Sequence, residues 1–212
     1  MKKKLIYAFG EILIVIIGIS LAFAMSKWGE NNANNAQKAQ YINNLKQDIE
    51  ADKIQLEANL IKINEKIELC GALIPVLGSN DSEKPTKLRG VYNVANLTNF
   101  TPKDYTHQTL VNSGDLKLMN DFKLKSDILK HYSIYKDIQK AYQRQEAINK
   151  DYLGRYFIYN TDYDLMREGK SPFTDEKLLK NIMQSVRGSF MIKRDATQRG
   201  INSCDSILKV LK

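Results

Sequence analysis

Few residues in this chain have the type and spacing that chemistry needs. Its two histidines, His107 and His131, have no His or Cys three or four residues further on. Neither starts the pair that would put two ligands for a zinc ion on one helical face. No phosphate-binding glycine loop, nucleophile elbow or zinc-protease helix motif occurs. Carboxylates such as Asp162 and Asp164 are plentiful, but on helices and loops carboxylates usually face water. The sequence therefore points to no catalytic residue, no metal and no cofactor, and to a protein that is not an enzyme.

Three other groups stand out. Cys70 and Cys204 are an even pair, which can bridge in an oxidising compartment. Cys70 ends the first helix beyond the N-terminal segment, and Cys204 lies near the end of the last. In an antiparallel bundle of three long helices the first and third run parallel, so those ends can coincide. A Cys70–Cys204 disulfide and two buried free thiols both remain open. Of the 11 tyrosines, Tyr132, Tyr135, Tyr142, Tyr152, Tyr156 and Tyr159 crowd one expected helix. Tyrosine suits a thin bundle, ring buried and hydroxyl wet, so packing is favoured over a recognition surface.

The third is Glu11, the single charge in an apolar run from Leu5 to Met25. A run of about 20 residues spans a hydrocarbon core at about 1.5 Å per residue. Lys2, Lys3 and Lys4 precede it and Trp28 follows, where an amphipathic ring prefers the interface. The excess of positive charge before the run places the N-terminus in the cytoplasm and the remainder outside. The rival is a cleaved signal peptide, with Ala22-Phe23-Ala24 as cleavage site; the length of the run and Glu11 argue against it. No Cys lies near the end of the run, which excludes a lipoprotein. At helical spacing Ala8, Glu11, Val15, Gly18 and Ala22 share one face. Small side chains let another helix approach, and a carboxyl can hydrogen-bond across the contact. The partner would be a second copy or another membrane protein. Alternatively, Glu11 is protonated or snorkels toward the cytoplasmic lysines.

The elements that position these residues are helices. Only 4 Pro and 11 Gly occur in 212 residues, and 43% of the chain is hydrophobic, a composition that favours a folded, helical protein over disorder. The net charge of +8 is spread along the chain without a block of five like charges, so nucleic acid is not an expected partner. Leu45, Ile49, Leu56, Leu60, Ile63, Ile67, Cys70 and Ile74 recur at helical spacing until Pro75 and Gly78. The polar stretch Asn31–Gln40 reads as a stalk. A short helix is expected over Thr86–Leu97, and another from Thr101-Pro102 through Ser113, closed by Gly114. Asn120 caps a long helix, 160–172 is a loop, and Thr174 caps the last helix. The expected fold is all-α: a transmembrane helix (1–28), a stalk (29–40) and an antiparallel helical bundle (41–212).

The pattern Tyr7-Ala8-x-Gly10-Glu11-Ile12-Leu13, then Gly18-Ile19-x-Leu21-Ala22 and Trp28, resembles a family of uncharacterised single-pass membrane proteins of Gram-negative bacteria. Tyr41, Leu45, Asp48 and Asp52 are similar to that family's following helix. Thr109-Leu110, Ser113-Gly114-Asp115-Leu116, Asn120, Leu124 and Tyr132 are similar to its mid-domain signature. Phe23-Ala24-Met25-Ser26-Lys27 departs from the family's usual polar stretch before Trp. The resemblance implies anchorage in a bacterial inner membrane with a periplasmic domain, and it transfers no catalytic residue. The expected role is a structural or adaptor subunit acting by protein–protein interaction. The alternative is a ligand-sensing module that signals through a partner membrane protein.

Overall fold

A computed structural model describes the backbone of residues 2–211 and the side chains of residues 9–211. It is 83% helical, and no strand forms among the described residues, so the fold is all-α, with a long apolar N-terminal helix leading into a bundle.

One helix, α1 (Lys2–Val76), runs from the apolar segment to the far end of the bundle without a break. No proline interrupts it before Pro75, which lies inside its last turn. Gly78 then takes a left-handed φ of 82°, a conformation that costs a β-carbon dearly. The residues expected to form a stalk are helical and mostly exposed.

From the top of α1 the chain returns in short pieces: α2 (Lys84–Leu88), α3 (Gly90–Val94) and α4 (Tyr105–Asn112), then one 3₁₀ turn, Asp115–Leu118. It climbs again through α5 (Phe122–Ile148), a π-helical turn (Asn149–Gly154) and α6 (Arg155–Tyr159). After the short α7 (Tyr163–Arg167), α8 (Glu176–Val210) descends and packs against both α1 and α5.

The core lies where these three long helices meet. Leu45, Ile49, Leu56 and Ile63 of α1 are fully buried, as are Ile138 of α5 and Val186 and Cys204 of α8. Gly200 allows the closest approach. A β-carbon there would overlap Ile138 Cδ1 and lie 3.0 Å from Leu56 Cδ1.

The helix starts differ from the expected ones by small, explicable shifts. Asp121, not Asn120, caps α5 by accepting from Lys123 N at 2.8 Å. Asp175, not Thr174, caps α8 by accepting from Leu178 N at 2.8 Å, while the Thr174 hydroxyl donates to Asn160 O. Thr101-Pro102 does not open a helix. The Asp52 carboxylate takes the Lys103 N–H at 2.9 and 3.1 Å and holds that stretch outside α4. The single helix expected over Thr86–Leu97 is two, α2 and α3. Gly114 follows α4 in a left-handed conformation, φ 75°, as its C-cap role requires.

Candidate functional site

The descending segment is tied to α1 by a ladder of polar contacts. From top to bottom, Lys66 Nζ donates to Asn93 O, and Asn59 Nδ2 donates to Asn99 O at 2.9 Å. Asp52 accepts from Lys103 N, and Asp48 accepts from the Thr106 hydroxyl. Asp115 accepts from Tyr41 Oη at 2.8 Å and from Gln37 Nε2 at 3.1 Å. The α1 members are spaced by four or seven residues, so they share one flank of the helix. The upper rungs satisfy backbone groups at Asn93, Asn99 and Lys103, in a segment with little regular structure of its own, and the lower ones hold its side chains. The ladder also joins residues far apart in sequence: Asp52, Asp48 and Tyr41 meet Lys103, Thr106 and Asp115 in turn. The spacing beside the apolar stripe was the available signal, but polar residues on a helix flank read as solvated without their partners.

Burial perturbs the charges nearest the core. Asp52 is 1% exposed, and burial pushes its carboxyl up to about 6 even though the Lys103 N–H opposes this. Lys193 of α8 is equally buried. Its ammonium donates to Thr98 O at 2.7 Å and Gln145 Oε1 at 3.1 Å and sits 4.0 Å from the centre of the Tyr142 ring. Burial pulls it down to about 8. Nothing in the sequence around Lys193 marked it as internal.

The histidines belong to an aromatic cluster. His107 stacks on Tyr132 with ring centroids 4.0 Å apart. His131 meets Tyr135 edge-on and shares a 2.8 Å hydrogen bond with Ser203. Burial pulls His131 down to about 4, so its ring is neutral at physiological pH. Among the described residues no group of His, Cys, Asp and Glu is arranged to hold a metal ion. The tyrosines divide. Tyr132, Tyr135, Tyr142 and Tyr156 are buried, whereas Tyr152 and Tyr159 are exposed.

Cys70 and Cys204 are free and buried. The expectation that their helix ends coincide is overturned, because the descending α2–α4 segment acts as a fourth limb and leaves α8 antiparallel to α1. Lys53 of α1 pairs with Asp205 at 2.6 Å, whereas Gly71 lies level with Arg187. The two thiols are thus about 25 Å apart by the helical rise between Lys53 and Cys70. Burial pushes both up to about 11.

Glu11, Val15, Gly18 and Ala22 lie exposed on the first part of α1, and nothing stands within 4 Å of a β-carbon built at Gly18. The side chain of Ala8, the stripe's first member, falls outside the described residues. The helix is long and apolar enough here to cross a membrane, and from Phe9 on none of the apolar stretch is buried. On the bundle, a groove of about 580 Å³ runs between the upper parts of α5 and α8, with Ile148, Leu178, Ile182 and Ile192 in its walls. A smaller one of about 380 Å³, bordered by Asp127, Lys130 and Arg199, lies lower between the same helices.

No curated protein and no solved structure matches the chain. The sequence model of a family of unknown function (DUF6090) matches residues 11–161, from Glu11 in the apolar stretch through α6. With most of its length covered, this chain belongs to that family.

Proposed function

We propose that the protein is a single-pass protein of a bacterial inner membrane, N-terminus cytoplasmic and bundle periplasmic. In this reading it serves as a structural or adaptor subunit that works by protein–protein contact rather than catalysis. The observation that carries the reading is the contrast along α1. One continuous helix is unburied through its apolar stretch from Phe9 on and then forms a wall of a close-packed bundle. An unburied apolar helix of that length needs lipid or protein around it. The perturbed groups of the bundle support a non-catalytic role, because Asp52 and Lys193 spend their polar atoms on internal contacts.

Alkaline carbonate extraction of native membranes should leave the protein in the pellet. A reporter active only outside the cytoplasm, fused after Lys212, should be active. N-terminal sequencing should find the anchor retained; a mature chain beginning at Met25 overturns it. Affinity purification from mildly solubilised membranes should recover a protein partner.

A second reading, ligand sensing, is favoured by the groove between α5 and α8, whose size falls in the range of small-molecule sites. A thermal shift of the purified protein with a small-molecule library separates the two readings, because a ligand that binds only the folded state must stabilise it.

A further inference from the structure

We infer that α1 carries, on the face turned away from the bundle, a docking surface for a second copy of this chain lying parallel to the first. This deepens the proposed function by naming a partner, and it rests on the anchor reading given there.

Beyond Trp28, Ile54 and Ile61 are the large hydrophobic residues of α1 that remain well exposed, at 67% and 63%. They are seven residues apart, with Ala58 exposed between them. At about 100° per residue this trio lies roughly opposite the buried positions from Leu45 to Cys70. The same line, within about 55°, descends through Ala36, Ala33 and Gly29 to Gly18 and Glu11 in the apolar stretch. α1 is unbroken over this distance, so its outer apolar pair and the anchor present one face.

The charges beside that face complement a copy of themselves. If Ile54 and Ile61 are core positions of a parallel two-stranded coil, Glu57 and Lys62 flank the seam, five residues apart. That is the spacing at which such pairs meet across a parallel interface in register. Lys62 makes no ion pair among the described residues, and Glu57 is 3.6 Å from Lys53. A membrane anchor imposes the parallel orientation, since both copies enter from the same side. Higher up, Glu65 and Glu68 are exposed on nearly the same line. They would oppose their own copies there, which ends the contact near Ile61 and leaves the top of each bundle free.

The test is oxidative crosslinking of the full chain in native membranes. Cys70 and Cys204 can stay, because burial keeps both thiols unreactive. Ile54→Cys and Ile61→Cys should each give a band of twice the monomer mass, and Lys140→Cys on the exposed side of α5 should not. Glu57→Lys or Lys62→Glu in the Ile61→Cys chain should diminish the band, and the two together should restore it. Carbonate extraction of the same membranes separates the outcomes. Protein that stays in the pellet but gives no doubled band, or gives an adduct of another mass, overturns the second copy and leaves the anchor standing. Protein released by carbonate overturns the anchor and this inference with it. A double charge swap that does not restore the band overturns the register.

Discussion

Two glycines of α8, Gly188 and Gly200, should respond to the same substitution with opposite sign. Glycine within a helix costs about 1 kcal/mol relative to alanine, so each replacement begins with a gain of that order. At Gly188 nothing stands within 4 Å of the added β-carbon, and the gain is realised. At Gly200 the added carbon overlaps Ile138 Cδ1 and lies 3.0 Å from Leu56 Cδ1, both in fully buried side chains. Overpacking a tight core costs about 1–3 kcal/mol, which exceeds the helical gain and leaves a net loss of about 1 kcal/mol. For a chain of this size 1 kcal/mol moves the melting temperature by about 2–4 °C. Gly188→Ala should therefore melt a few degrees above wild type and Gly200→Ala a few degrees below, by circular dichroism in mild detergent. Ile138→Val removes the methyl that obstructs. It should cost about 1 kcal/mol in wild type but distinctly less in the Gly200→Ala chain, a coupling that a double-mutant cycle measures. If Gly200→Ala stabilises as much as Gly188→Ala, the three helices do not meet at that point.

Between about pH 4 and 6.5 two buried groups should oppose one another. The raised carboxyl of Asp52 makes its contribution fall as pH climbs from 3.8 to about 6, because the folded state holds the proton longer. The lowered imidazole of His131 makes its contribution rise between about 4 and 6.5, because the unfolded state holds the proton longer. Each is worth roughly 3 kcal/mol at about 1.4 kcal/mol per unit. Relative to wild type, the pH–stability curve of Asp52→Asn should slope upward across this window and that of His131→Phe downward; parallel curves would refute the placement. Lys193, pulled down from 10.5 to about 8, should make wild type gain stability relative to Lys193→Met from pH 8 to 10. A flat difference in chemical denaturation would mean that this ammonium is solvated. Cys70 and Cys204 should resist alkylation in the native protein and react fully after unfolding without reductant; recovery of a disulfide-linked peptide would contradict their separation.

The local elements were legible in the sequence because their causes are local. The apolar run with its flanking lysines and tryptophan, the 3.6-residue recurrence from Leu45 to Ile74, and the glycines at 78 and 114 each act within a few turns of helix. Even the errors at α5 and α8 were single-residue choices between neighbouring cap-forming side chains, Asn120 or Asp121 and Thr174 or Asp175. What sequence could not supply was the course of the weakly patterned chain from Gly78 to Leu118. That segment draws its order from α1, through Asn59 and Asp52 to its backbone and through Asp48 and Tyr41 to its side chains, and a hydrogen bond to a distant partner leaves no periodic trace. Because it descends as a limb of its own, it sets α8 antiparallel to α1 and separates the two thiols. The internal place of Lys193 has the same origin. A lysine beside an apolar stripe reads as solvated until a carbonyl before α4 and an amide and a tyrosine ring of α5 converge on it from two other parts of the chain. Such convergence is a property of the assembled bundle alone.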